Sequence, residues 1–143
     1  MPGLACVQLV GDGTTHGDRN QLAGGGMFRF GEVERAGQVG LYLFDMIPAA
    51  NNGLDVETKY QFHWDGGDSF LSQDKVYFEP TFEPDTYRFS VQLSIIAGSG
   101  IFSELVGERP LTLTAEMKFG PPEVPGGVMT ANEQFALGGT VCH

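Results

Sequence analysis

With 143 residues, 41% of them hydrophobic and 11% aromatic, the chain suits one domain with a sizeable core, and disorder is excluded. Eighteen acidic side chains against eight basic ones give a net charge of −10 with no basic cluster, which excludes a phosphate-backbone grip on nucleic acid and opposes an anionic membrane surface. No run of about 18 apolar residues is present, and Met1-Pro2-Gly3 lead into a strand-like run without a charged leader, so the expectation is a cytoplasmic protein forming one domain over residues 1–143.

Eight apolar runs read as strands, at 4–10, 27–34, 38–47, 56–64, 69–79, 86–97, 110–117 and 133–142, with glycine and proline clustered between them. No segment keeps a helical period over three turns. The first run carries Cys6 and the last ends at Cys142. In a closed ring those strands are neighbours, so a disulfide is conceivable, but two reduced cytosolic thiols are the favoured reading.

The glycine-rich stretch 11–26 reads as a long loop. After it, Arg35-Ala36-Gly37 offers a three-residue turn that sets Phe28, Phe30 and Glu32 beside Phe44, Tyr42 and Gly40. That aromatic face is expected inside. The opposite face, with Arg29, Val33, Leu41, Leu43, Asp45 and Ile47, is also largely apolar, which suggests cover by another subunit in a dimer or trimer.

In the fourth run Val56, Thr58, Tyr60, Phe62 and Trp64 alternate with Glu57, Lys59, Gln61 and His63, the pattern of a strand with one wet face. A tight turn at 65–68 follows, and two registers are open. If Asp65 pairs with Asp68, then Leu71, Gln73, Lys75 and Tyr77 face inward; this is the preferred reading. A bulge would instead turn Phe70, Ser72, Asp74, Val76 and Phe78 inward. Further on, Tyr87, Phe89, Val91, Leu93 and Ile95 alternate with Arg88, Ser90, Gln92 and Ser94.

Strand order sorts the connections into two ends. Turns at 35–37, 65–68 and 98–107 share one end and suggest a floor, whereas 11–26, 48–55, 80–85 and 118–132 gather at the other and suggest a mouth with a lid. Met27, Met46, Tyr77, Tyr87, Met117 and Phe135 fall near that mouth. The pattern predicts an all-β domain, an eight-stranded antiparallel closed barrel with one loop-covered mouth.

Four tyrosines, a tryptophan and five methionines bring more polar and adaptable surface than a plain core needs, so a ligand cavity is expected. Its walls would be Phe28, Phe30, Tyr42, Phe44, Met46, Phe62, Trp64, Tyr77, Tyr87, Phe89, Met117 and Phe135. Tyr60 is the safest inward donor, Gln73 a central hydrogen-bonder, and Glu32 either a carboxyl whose pKa burial would raise or, beside the 35–37 turn, a solvated carboxylate at the floor. No metal or cofactor is expected: Gly24-Gly25-Gly26 precede a strand, His16, His63 and His143 are scattered, and no nucleophile elbow or Cys–His pair occurs.

The segment Ile95-Ile96-Ala97-Gly98-Ser99-Gly100-Ile101-Phe102, with Gly107 beyond it, resembles the strand and glycine-rich corner of the allene oxide cyclase and dirigent-protein superfamily. The similarity extends less clearly through Gln38-Val39-Gly40 and the 56–78 hairpin, about the middle half of the chain. It implies the same eight-stranded barrel and a cofactor-independent cyclase or isomerase of natural-product biosynthesis, including Diels-Alder catalysts, acting on an apolar polyene or enone. The catalytic carboxylate and cysteine of the plant allene oxide cyclases have no matching motif here, and Met46 falls roughly where the cysteine would align. A lipocalin-like or dirigent-like binder without turnover is the alternative, and a filled barrel that only assembles is a third.

Overall fold

The computed structural model describes residues 5–143, so Leu4, the first residue of the first expected strand, lies outside it. Nine strands follow in order: β1 (Cys6–Asp18), β2 (Gln21–Phe30), β3 (Val33–Pro48), β4 (Leu54–Trp64), β5 (Ser69–Pro80), β6 (Thr86–Leu93), β7 (Ile95–Ser99), β8 (Leu111–Gly120) and β9 (Thr130–Cys142). Eight of them close an antiparallel ring in the order β1, β2, β3, β4, β5, β6, β8, β9 and back to β1, with β7 outside the ring against β5. The barrel expected from the alternation is the fold observed.

The expected single strand 86–97 is split at Ser94, whose N–H is taken by both Asp74 carboxylate oxygens at 3.1 Å. The stretch expected as a loop, 11–26, is instead the long β1–β2 ladder, from Gly17 opposite Leu22 to Leu9 opposite Phe30. Glycine is a poor strand former alone. Here it makes room for rings: a Cβ on Gly11 would strike Phe28, and one on Gly13 would strike Phe135.

Two hairpins differ from expectation, and each difference reverses a face. β2 turns into β3 at Gly31-Glu32, where Gly31 holds a φ of +64° at the position that a type II′ turn reserves for glycine. The chain therefore turns earlier than Arg35-Ala36-Gly37, which lie within β3. The pairing shifts by an odd number of residues, so Val39, Leu41 and Leu43 go inside while Tyr42 and Phe44 go outside. At the second hairpin Trp64 N–H donates to the Asp68 carbonyl at 2.9 Å, leaving Asp65, Gly66 and Gly67 as a three-residue turn. That places Phe70, Ser72, Val76 and Phe78 inside and Gln73, Lys75 and Tyr77 outside, the alternative register rather than the preferred one.

Inside, Phe28, Phe30, Phe62, Trp64, Phe70 and Phe102 form one packed block, with centroids 5.1 Å apart for Phe28–Trp64, 4.8 Å for Phe62–Phe70 and 5.0 Å for Phe70–Phe102. Full burial of each such ring contributes about 1.5–3 kcal/mol. Phe102, carried by the 3-10 turn Gly100–Leu105, closes the barrel at that end, as the floor reading expects. The contrast in loop length does not hold, because 11–26 is strand and the floor carries the long 100–110 connection.

Cys6 and Cys142 stand opposite each other in the β1–β9 ladder and are bonded to each other. The reduced-thiol reading is thereby corrected: the last register pair of the closing seam brings the two side chains together. Among the described residues, no helix is long and apolar enough to cross a membrane.

Candidate functional site

Between the ring block and the opposite rim lies a band of polar side chains within the lumen. Glu133 on β9 stands opposite Thr15 of β1 and Met117 of β8, and is 1% exposed. The Thr15 hydroxyl donates to its Oε1 at 3.0 Å, and the Tyr60 hydroxyl, reaching in from β4, donates to its Oε2. Next to Tyr60 on β5 stands Ser72, and the following inward pair is Thr58 with Asp74.

The electrostatics follow from that enclosure. Burial is the largest influence on the Glu133 carboxyl; the two hydroxyl donors favour its charged form but only partly offset it, and its pKa is pushed up to about 7. Burial, with the Glu133 carboxylate next, holds the Tyr60 phenol above its ordinary range. No Lys, Arg or His bonds to Glu133 among the described residues: the ion pairs there are His16–Glu123 at 3.6 Å and Arg35–Asp68 at 2.8 Å, both elsewhere. A carboxyl of this kind takes up and releases a proton near neutral pH.

Of the three residues expected to act chemically, only Tyr60 reaches this band. Glu32 is exposed in the Gly31-Glu32 turn, because the chain reverses before it can follow Phe30 inward. Gln73 points outward and donates to Glu57 at 2.9 Å, a consequence of the three-residue turn before β5. Among the expected wall residues, Phe28, Phe30, Phe62, Trp64, Phe89, Met117 and Phe135 are inside. Tyr87 is half-buried against Phe78 and Phe119.

Tyr42 and Phe44 stack on each other outside the barrel, with centroids 6.5 Å apart. Tyr77 is 41% exposed and donates to the Ala50 carbonyl at 2.8 Å. Met46 lies within the β3 irregularity between Phe44 and Ile47, half-buried against the edge of the core. Met27, expected at the mouth, faces outward on β2.

Glu133 was legible in the alternation Glu133, Phe135, Leu137 against Gln134 and Ala136. As the first residue of an expected strand it passes for a solvated end. Thr15 carried no comparable signal, being surrounded by glycines.

Among the described residues, the four surface clefts do not reach the polar band of the lumen. With volumes of about 680, 630, 410 and 350 Å³, they open on the outer wall or the rim, and none of the four is lined by Tyr60, Glu133 or Trp64. Rings fill the space instead, including a second stack of Phe78 on Phe89 with centroids 4.2 Å apart. No protein-family model, curated protein or solved structure matches the chain. Among the described residues, no group of three or more His, Cys, Asp or Glu is placed to hold a metal ion. The polar groups that the band itself contributes are a carboxyl that titrates near pH 7, a phenol and the hydroxyls of Thr15, Thr58 and Ser72, in an apolar surround.

Proposed function

We propose that the chain is a cofactor-independent cyclase or isomerase, in which the Glu133–Tyr60 pair exchanges a proton with an unsaturated, mostly apolar guest such as a polyene or enone. Ring formation of the kind catalysed by allene oxide cyclase-like natural-product enzymes, Diels-Alder reactions included, is the activity in view. One observation carries this reading: a buried carboxyl served only by hydroxyl donors, at a pKa of about 7. A barrel serving only as scaffold gains nothing from it, since an uncompensated buried acid opposes folding. With the lumen packed, a guest enters by displacing side chains at the rim nearer Glu133, where Leu22, Phe119 and Ala131 lie.

The packed lumen favours a second reading, a barrel that binds or assembles without turnover. The outward Tyr42 and Phe44, beside Leu71 and Ala97 in the 630 Å³ cleft, are where a second copy of the chain would sit. The cytoplasmic setting expected from the sequence fits poorly with the Cys6–Cys142 bond, because disulfides persist mainly in oxidising compartments.

The test is to incubate purified protein with a linear trienone and follow ring formation. Turnover that falls roughly 100-fold or more in Glu133→Gln supports proton exchange. Saturable binding with no product moves the assignment to a carrier, and no binding leaves the assembling barrel.

A further inference from the structure

Within the polar band, one hydroxyl is left out. Ser72 is fully buried, and its Oγ has no hydrogen-bond partner, whereas Thr15, Tyr60 and Thr58 all donate to neighbours. Its direction is fixed by the ladder: Ser72 is the register partner of Tyr60, so both side chains leave the β4–β5 pair on the lumen side, with Phe70 and Val76 on the same face of β5. Cross-strand partners of this kind hold their Cβ atoms about 4.5–5.5 Å apart. Both side chains therefore face the same stretch of lumen, with the Tyr60 hydroxyl reaching on to Glu133.

The energetics single this hydroxyl out. Burying an unsatisfied donor is destabilising, and an alanine would fill the same place on a strand whose neighbours are phenylalanine and valine. Ser72 lies at the β5–β7 irregularity, which falls between Leu71 and Ser72, yet its oxygen takes no part in mending it: the Ser94 N–H is taken by the Asp74 carboxylate and the Ser94 carbonyl accepts from the Gln73 N–H.

We infer that the Ser72 hydroxyl is the polar anchor of the lumen, donating a hydrogen bond to a carbonyl or ether oxygen of the guest beside Tyr60. The inference rests on the lumen being a guest site and sharpens the substrate class. An oxygen-bearing unsaturated chain, an enone rather than a pure hydrocarbon polyene, fits a band whose other hydroxyls already have partners; the one further buried polar atom without a partner among the described residues is the Trp64 indole N–H in the adjoining ring block. Glu133, through Tyr60, then lends a proton to the oxygen that Ser72 holds and takes one back from the guest as the rearrangement completes.

The chain's single tryptophan, Trp64, lies buried in the adjoining ring block and serves as the reporter. Quenching of its fluorescence is measured with a linear trienone and with the hydrocarbon triene of the same skeleton, for wild type, Ser72→Ala and Ser72→Cys. Wild type is expected to prefer the enone by ~10-fold or more, and both variants to lose that preference to within ~3-fold. Without guest, Ser72→Ala is expected to melt at the wild-type temperature or up to ~3 °C above it, because no bond is lost.

Retention of the enone preference in either folded variant overturns the Ser72 assignment alone. A drop of several degrees in the guest-free Tm of Ser72→Ala also overturns it, by showing the hydroxyl to be paired within the fold. Failure of wild type to bind either probe overturns the guest-site reading and this inference with it.

Discussion

At the scale of single residues, the molecule contains two carboxylates displaced in opposite directions, so its pH dependence can be assigned. Glu133 is raised, from 4.5 to about 7. Below about pH 4.5 it is neutral folded or unfolded and costs nothing extra. As pH rises from 4.5 towards 7 the unfolded chain ionises and the folded one does not, so stability falls, by roughly 3 kcal/mol once pH exceeds 7. Asp68 has the opposite sign. Burial would raise its pKa, but the Ile101 N–H at 2.9 Å and the Arg35 guanidinium outweigh that and hold it below the usual range. Its contribution is present above the ordinary carboxylate pKa and is lost on acidification. Urea midpoints measured at pH 5 and pH 7.5 should show wild type weaker at the higher pH, and Glu133→Gln should abolish that difference. An unchanged slope in the variant would place the titrating group elsewhere.

At the scale of elements, what decides each face of the barrel is the length of the turn before it. Phe28 and Phe30 were legible as inward residues, and so was the alternation from Val56 to Trp64, because strands with one committed face read the same in any register. The partner strands were not legible. Gly31-Glu32 and Arg35-Ala36-Gly37 are both plausible turns, and choosing between them moves β3 by an odd number of residues, which exchanged Leu41 and Leu43 for Tyr42 and Phe44. The same one-residue ambiguity at Asp65–Asp68 hid Ser72 and drew attention to Gln73. Asp68 is the clip that fixes this second turn relative to its neighbours. Its carboxylate holds Arg35 of β3 at 2.8 Å and the Ile101 N–H of the 3-10 turn at 2.9 Å, while Arg35 lies over the Phe30 ring. Asp68→Ala should therefore cost about 2–4 kcal/mol in urea unfolding, since two hydrogen bonds to a charged group are lost at a largely buried site. A loss within about 0.5 kcal/mol, the range typical of plain surface substitutions, would show that the floor loops hold without it.

At the scale of the whole molecule, closure depends on the seam between the first and last strands. The Cys6–Cys142 bond spans 136 residues of chain, and a cross-link of that span restricts the unfolded state enough to contribute about 5 kcal/mol in the chain-entropy model. Reduction, or Cys142→Ser, is expected to lower Tm by on the order of 10 °C while leaving the strand signal in circular dichroism intact. The β1–β9 ladder runs from Cys6 to Asp18, so backbone pairing is expected to hold the seam without the bond. An unchanged Tm would mean that the ladder alone sets the stability of the seam.

Composition, strand-length alternation and turn residues determined by themselves that this chain forms one all-β barrel with an aromatic interior, because those signals are local and repeat in every strand. Only the tertiary structure decided which carboxyl is buried, which hydroxyl lacks a partner, that rings pack the lumen and that the termini are bonded. Each depends on strand register: the hydroxyl on the turn between β4 and β5, the carboxyl and the Cys6–Cys142 bond on the closure of β1 on β9. Thr15 and Glu133 are 118 residues apart and meet only when β1 closes on β9.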